Sequence, residues 1–267
     1  MKILVTGATG NIGRKVVDHL IAEGAKDVRA LSNNPKRAAL PAEVEVAEGY
    51  LRRLSSLPAA FEGVDRMYLA PVPETVIEVV ALAREAGIAH IVDLSGDETS
   101  EWEPIAKAVE QSGVAWTHLY AGEFLENTTM WAEQIRTTGQ VREPFPDAAN
   151  APIAMDDIAR VAAAVLLGEG HEGRAYDLTG PETLTRADKV RLLSAALGRE
   201  VTLEQVSRAD AIRSLEPVMG ELAEWYVDGL AMMVDHPQRP TTTVAEVTGT
   251  PATSFAQWVA DNAAAFR

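Results

Sequence analysis

Short apolar runs alternate with helical patterns through the first half of the chain. Runs rich in β-branched, aliphatic and aromatic residues fall at 2–6, 28–31, 44–47, 66–69, 90–95 and 116–120. Between them, apolar positions at helical spacing mark 12–23, 75–86 and 104–111, and Gly24, Gly87 and Gly113 stand where helix C-caps belong. This alternation predicts a parallel sheet with right-handed crossover helices on both faces, an α/β doubly wound fold. The second half reads as more helical. Gly168 ends a helix over 156–167, with Asp156 and Asp157 read as its N-terminal caps. A strand over 175–178 leads into Thr179-Gly180-Pro181-Glu182. Thr185 with Asp188, Ser207 with Asp210 and Ser254 with Gln257 mark three further helix starts. Over 221–234, Leu222, Trp225, Tyr226, Leu230 and Met233 recur at helical spacing, either as a core face or as the wall of an apolar pocket.

The first strand runs directly into Thr6-Gly7-Ala8-Thr9-Gly10-Asn11-Ile12-Gly13, which opens the first helix. In a G-x-x-G-x-x-G turn at this place, Gly7 permits the tight turn, Gly10 lets backbone approach a pyrophosphate, and Gly13 lets helix and strand pack closely. The helix start adds unpaired N–H groups and a positive dipole end, so the segment predicts a dinucleotide site. A glycine-rich turn that binds nothing is the structural alternative. The end of the second strand separates the two nicotinamide coenzymes. An NAD site usually carries an acid about 20 residues past the glycines. Here the chain reads Leu31-Ser32-Asn33-Asn34-Pro35-Lys36-Arg37, without one. An acid there would oppose a 2′-phosphate by roughly 4 kcal/mol at 4 Å and an effective dielectric of 20. Ser32 and Asn33 can instead donate hydrogen bonds and Arg37 or Lys36 can supply charge, which favours NADP(H) over NAD(H). A solvated helix start would also explain the two basic residues. Ala70 and Pro71, after the fourth strand, complete the candidate cofactor set with Thr9, Asn11 and Ile12.

Composition narrows the partners. A chain of 267 residues buries about three quarters of its open-chain surface on folding and needs no staples. Its formal charge of -15 repels phosphate backbones, so nucleic acid is not an expected partner. The absence of cysteine excludes disulfides, thiolate nucleophiles and Cys-ligated metals. Five histidines without ligand spacing give a metal site no support. No apolar run approaches the ~20 residues of a membrane span, and the N-terminus lacks a leader pattern. The expectation is a cytoplasmic monomer or homodimer that binds small molecules.

Several segments carry a family resemblance. The glycine loop, Ala30-Leu31-Ser32-Asn33-Asn34-Pro35, Gly63-Val64-Asp65 and Leu94-Ser95-Gly96 are similar to atypical short-chain dehydrogenase/reductases. More narrowly, the chain resembles their NmrA-like, NAD(P)H-binding branch. Gly122-Glu123-Phe124 with Asn127, Ala151-Pro152-Ile153, Asp157-Ile158-Ala159 and Tyr176 through Glu182 extend the likeness over nearly the whole length. The resemblance implies a Rossmann-type domain over 1–145 and a smaller, mainly helical substrate-binding region over 146–267, interleaved with the first. That branch includes quinone and triphenylmethane-dye reductases and non-catalytic redox sensors. An actinobacterial biosynthetic setting would suit it.

The chain also departs from the family. The superfamily's Tyr-x-x-x-Lys falls on Trp102 and Ala106, or one residue on, on Glu103 and Lys107, so neither register has the tyrosine. Tyr50 stands where relatives often have an adenine-contacting Asp, and it offers a ring for stacking. Tyr120-Ala121 replaces a common Arg-Pro, and Asp93 replaces an apolar residue. Asp93, inside a run that should be buried, is either an acid/base with a raised pKa or a structural carboxylate bonded to His90, His118 or backbone amides. Ser95 and Tyr120 fall at carboxyl ends of strands, where α/β sheets bind ligands, though capping and packing would also explain them. Trp102, Phe124, Trp131, Met155 and Trp225 are candidate walls for a flat aromatic substrate. The combined expectation is an NADP(H)-dependent oxidoreductase acting on a conjugated, quinone-like molecule, with Ser95, Tyr120 and Asp93 as catalytic candidates. A cofactor-sensing regulator and a non-redox cyclase or isomerase are the alternatives.

Overall fold

The computed structural model describes residues 1–70, 72–98 and 100–267. In chain order the first elements are β1 (Ile3–Val5), α1 (Asn11–Ala22), β2 (Val28–Ser32), β3 (Glu45–Glu48), α2 (Leu57–Phe61), β4 (Arg66–Leu69), α3 (Val76–Glu85), β5 (His90–Ser95), α4 (Glu103–Gln111) and β6 (Ala115–Ala121). They continue with α5 (Ala132–Thr138), β7 (Gln140–Glu143), β8 (Ala149–Asn150), α6 (Met155–Leu167), β9 (Arg174–Leu178) and β10 (Leu184–Thr185). The last are α7 (Arg186–Leu197), β11 (Thr202–Gln205), α8 (Arg208–Met219), α9 (Leu222–Asp235), α10 (Thr243–Thr248) and α11 (Phe255–Asn262). The chain divides into two compact units. One holds 1–121, 155–178 and 243–250, and the other holds 122–154, 179–242 and 251–267.

The first unit is built on a seven-stranded sheet in the order β3-β2-β1-β4-β5-β6-β9, parallel at every pairing. The order reverses direction at β1, and that crevice is where a doubly wound sheet binds ligands. Alternation along the strands assigns the two faces. Leu4, Met67, Leu69, Ile91 and Trp116 pack with residues of α2, α3 and α4 into one core. On the other face α1 and α6 pack on each other. Helix α1 buries Gly13, Val16, Val17 and Leu20, a single stripe at helical spacing. Gly24, Gly87 and Gly113, the predicted caps, all take positive φ.

The second unit has two small ladders, β7 with β11 in parallel and β8 with β10 antiparallel. Its core gathers Trp131, Ile135, Val141, Leu193, Phe255, Trp258 and Phe266. Thr185 and Asp188 form a reciprocal capping box at the start of α7, and Gly198 ends that helix in the left-handed region. Ser207 and Ser254 accept from the third-residue amides of α8 and α11, as the spacing predicts.

Two expectations are corrected. Asp156 and Asp157 do not precede α6 but stand in its first turn, because the helix already begins at Met155. Asp156 instead bonds Lys15 and His19, and Asp157 bonds Arg160. In α9 the buried stripe is Ala223, Val227 and Leu230. Leu222 and Trp225 are more than half exposed, so the helix is rotated from the face its large side chains suggest. Ala223 and Val227 are small enough for close approach to the unit's core, while the charged Glu224 and Asp228 are drawn outward to Arg208.

Candidate active site

The loop after β1 is held from two sides. Thr6 Oγ1 donates to the Tyr68 carbonyl at 3.0 Å and accepts from the Ala70 amide at 2.8 Å, which ties the ends of β1 and β4 together. This brings Ala70 against Gly7, where a Cβ would lie 2.8 Å from the Ala70 methyl, and Gly7 itself has φ +59°. At Gly13 a Cβ would fall 2.2 Å from the Gly7 carbonyl oxygen, so this position excludes every side chain. Gly10 is the N-cap of α1, with no side-chain cap and no acid in the first turn. Thr9, Gly10 and Asn11 are exposed. The first-turn amides of Asn11, Ile12 and Gly13 have no intrahelical acceptor and face an uncapped end. The surroundings fit a diphosphate, because the donors are present and side-chain bulk is excluded. Pro71, the other residue expected there, lies outside the described residues.

At the end of β2, Ser32 is buried and its Oγ accepts from the Asn34 amide at 3.1 Å, so it shapes the turn. Asn33, Lys36 and Arg37 are exposed on the turn that follows. Arg14 of α1 reaches the same loop, donating to the Ala39 carbonyl at 2.7 Å. It was not singled out in the sequence because its place beside the turn depends on how α1 docks. Gly49 bonds the Ser32 carbonyl, and Tyr50 follows it with its side chain 42% exposed. The acid nearest in register, Glu48 opposite Ser32, pairs with Arg53 at 3.7 Å.

The carboxyl ends of β5 and β6 bring the catalytic candidates together. Register sets Asp93 beside His118 and Ser95 beside Tyr120. Asp93 and His118 are both fully buried, with Nδ1 2.7 Å from Oδ2. The imidazole lies between the rings of Trp116 and Tyr120, at centroid distances of 4.1 and 5.8 Å. Its other nitrogen faces Glu110 Oε1 at 3.5 Å. Three buried atoms here, Asp93 Oδ1, His118 Nε2 and Ser95 Oγ, lack a hydrogen bond of normal geometry. Burial pushes the Asp93 carboxyl up against the opposing pull of His118. Burial, with the Asp93 charge, raises the Tyr120 phenol to about 12, so at neutral pH it stays protonated and keeps an O–H to donate. Just past β5, Trp102 is 44% exposed and precedes α4, where Glu103 pairs with Lys107 at 2.7 Å.

The second unit holds a different polar cluster. Glu123 accepts from Lys189 Nζ at 2.9 Å, Arg186 at 3.1 Å, Tyr226 at 2.9 Å and Asn150 at 2.7 Å. Glu143 takes a second fork of Arg186 at 2.9 Å and the Trp131 indole N–H at 2.6 Å. The Arg186 guanidinium lies 4.5 Å over the Trp131 ring. Trp131 is thus held within the second unit, where it lines a small cavity with Arg186, Tyr226 and Leu230. Burial alone would raise the Glu123 carboxyl, but the adjoining Arg186 and Lys189 charges hold it well below the usual range.

A family model, the NmrA-like family, matches residues 1–227. The chain belongs to the NmrA-like family. Two relatives extend over 99% of this chain and 99% of their own lengths. One is 36% identical, the (4-alkanoyl-5-oxo-2,5-dihydrofuran-3-yl)methyl phosphate reductase of Streptomyces griseus. The other is 37% identical, the NAD(P)H azoreductase of Xenophilus azovorans. Among solved structures, the NADPH-dependent quinone oxidoreductase of Escherichia coli in complex with NADPH superposes with a TM-score of 0.89. It is 25% identical and covers 97% of this chain and 99% of its own. Within this NmrA-like chain, His118 and Glu110 were missed as site residues. The one signal was the alternation Trp116, His118, Tyr120 beside Asp93 and Ser95, which gains meaning only once the register of β5 and β6 is known.

Proposed function

We propose that the chain is an NADP(H)-dependent reductase that delivers hydride to a conjugated, aromatic acceptor of the quinone or azo type. The observation that carries this reading is the glycine cradle at the start of α1, uncapped and bulk-free, beside a β2 end that presents Arg37, Lys36 and Arg14 and no acid of its own. Gly7, Thr9, Gly10, Asn11, Ile12 and Gly13 hold the diphosphate, with Ala70 alongside. Ser32 shapes the turn that Asn33 and Arg37 use to hold the 2′-phosphate, and Tyr50 offers a stacking face for the adenine. A bound reduced nicotinamide would supply the hydride.

The chain's own groups orient the acceptor and handle its charge. Ser95 and Tyr120 sit side by side at the strand ends and donate hydrogen bonds to an acceptor oxygen or nitrogen. Asp93, two residues inside, is the proton reservoir behind Ser95. No tyrosine–lysine pair stands at the start of α4, and an acceptor that delocalises charge needs less help from a strong acid. The relatives that reduce azo compounds, quinones and an oxo-dihydrofuran support this substrate class.

The test is coenzyme binding by calorimetry, followed by reduced-nicotinamide oxidation with a panel of quinones and azo dyes. Wild type binds NADPH more tightly than NADH. A Gly10→Asp variant, which sets a carboxylate at the anion site, loses about 100-fold or more in affinity. Arg37→Ala weakens NADPH roughly tenfold and leaves NADH nearly unchanged. Folded protein that binds neither coenzyme overturns the reading. Tight binding without turnover of any acceptor would make the chain a sensor.

A further inference from the structure

We infer that His118 and Glu110 form, with Asp93, a proton-supply line running beneath the sheet edge to Ser95. This rests on the reductase reading above and deepens it. The geometry is a series of polar groups that runs from solvent toward the strand ends. Glu110 on α4 is half exposed and lies 3.5 Å from His118 Nε2. His118 Nδ1 is 2.7 Å from Asp93 Oδ2, and Ser95 stands two residues further along the same strand, on the same face as Asp93. The members are fixed in place. His118 is clamped between Trp116 and Tyr120, and register locks Asp93 opposite it. A purely structural dyad would saturate its buried atoms, because each unpaired one costs about 1–3 kcal/mol. Here Asp93 Oδ1 and Ser95 Oγ make no hydrogen bond and His118 Nε2 has only the 3.5 Å approach of Glu110, and these are the atoms a moving proton needs.

The chemistry balances. Hydride from a reduced nicotinamide oxidises the coenzyme and reduces a quinone to its hydroquinone monoanion, which then needs one proton. Ser95 Oγ–H gives it, and the Asp93 carboxyl reprotonates Oγ. Glu110 passes a solvent proton to Nε2 as His118 Nδ1–H restores Asp93, so the imidazole stays neutral, and a flip of the ring returns the Nδ1–H tautomer before the next turnover. The charged and titratable groups around the line are few. Tyr68 on β4 and Tyr120 on β6 feel Asp93, Asp97 and Asp177 act on Tyr120, and Lys107 on α4 feels Glu110. Ser95 is the member that meets the acceptor, and Asp93, His118 and Glu110 act through it as positioning residues.

Two acceptors separate this role from a structural one. A triphenylmethane dye cation such as malachite green needs only hydride to become neutral, whereas a naphthoquinone needs hydride and a proton. For His118→Asn the ratio of quinone kcat to dye kcat falls tenfold or more, most steeply at high pH. For Glu110→Gln it falls a few-fold. Equal losses on both acceptors overturn the line. If wild type takes only the quinone, the solvent deuterium isotope effect on kcat replaces the ratio. It grows in His118→Asn, and an unchanged effect overturns the line. An infrared titration of the Asp93 carboxyl in coenzyme-free protein is independent of turnover. His118→Asn shifts that titration upward, because the opposing pull of the imidazole is gone, and an unmoved titration overturns the coupling. Wild type that reduces neither acceptor overturns the reductase reading, and the infrared result still decides the coupling by itself.

Discussion

Each unit buries a carboxylate against basic or imidazole nitrogen, and the two are finished differently. Around Glu123, two acids meet two cations, and an amide, a phenol and an indole fill the remaining valences. Around Asp93, one acid meets one imidazole, and three buried atoms lack a hydrogen bond of normal geometry. The first arrangement has nothing left to offer a ligand and makes its unit specific in packing. The second keeps bonding capacity at the carboxyl end of a parallel sheet, where ligands bind. Buried charge is therefore a poor marker of function by itself. Unfilled hydrogen-bonding capacity at the right edge is a better one.

Breaking the saturated cluster should have the largest effect. Lys189→Met leaves Glu123 buried with one cation fewer, which should destabilise by about 3–5 kcal/mol and lower Tm markedly in calorimetry. A loss under about 1 kcal/mol would show that the cluster is not tightly coupled. Acid should act next, through His90. Its Nε2 donates to Thr117 Oγ1 at 2.9 Å, since the Thr117 proton already goes to the His171 carbonyl. Burial pushes this imidazole down from 6.5 to about 4. The unfolded chain then binds the proton more readily, so stability is full above about 6.5 and falls as pH drops toward 4. His90→Gln should flatten that slope by on the order of 2 kcal/mol, as read from urea midpoints across the window. Asp93→Asn should have the smallest effect and the opposite sign. Because the folded-state pKa is raised, wild type is penalised above it and relieved as pH falls toward the unfolded value. The variant should be equal to or up to about 1 kcal/mol more stable than wild type at neutral pH, with the gap closing in acid. A large loss at neutral pH would place Asp93 with Glu123 as a structural group.

Much of the molecule was legible in the chain. The β–α alternation, the glycine turn and the three helix-start pairs depend on contacts within a few residues, and these act the same way in any fold that contains them. The glycine spacing pointed to the cradle, and the acid-free Leu31–Arg37 segment to the coenzyme form, for the same reason. His118 stood among the partners the sequence offered for Asp93, but the choice of His118 over His90, the reach of Arg14 to Ala39, and the convergence of Glu123, Glu143, Arg186 and Lys189 were not legible. Each joins residues from different elements, the last over spans of up to 66 positions. Strand register and helix docking decide such meetings, and both are set by burying the whole apolar surface at once. Helix α9 shows the limit from the other side. Its periodicity foretold a helix, but the face turned inward was chosen by the core it met, and the small Ala223 and Val227 fitted where Leu222 and Trp225 did not.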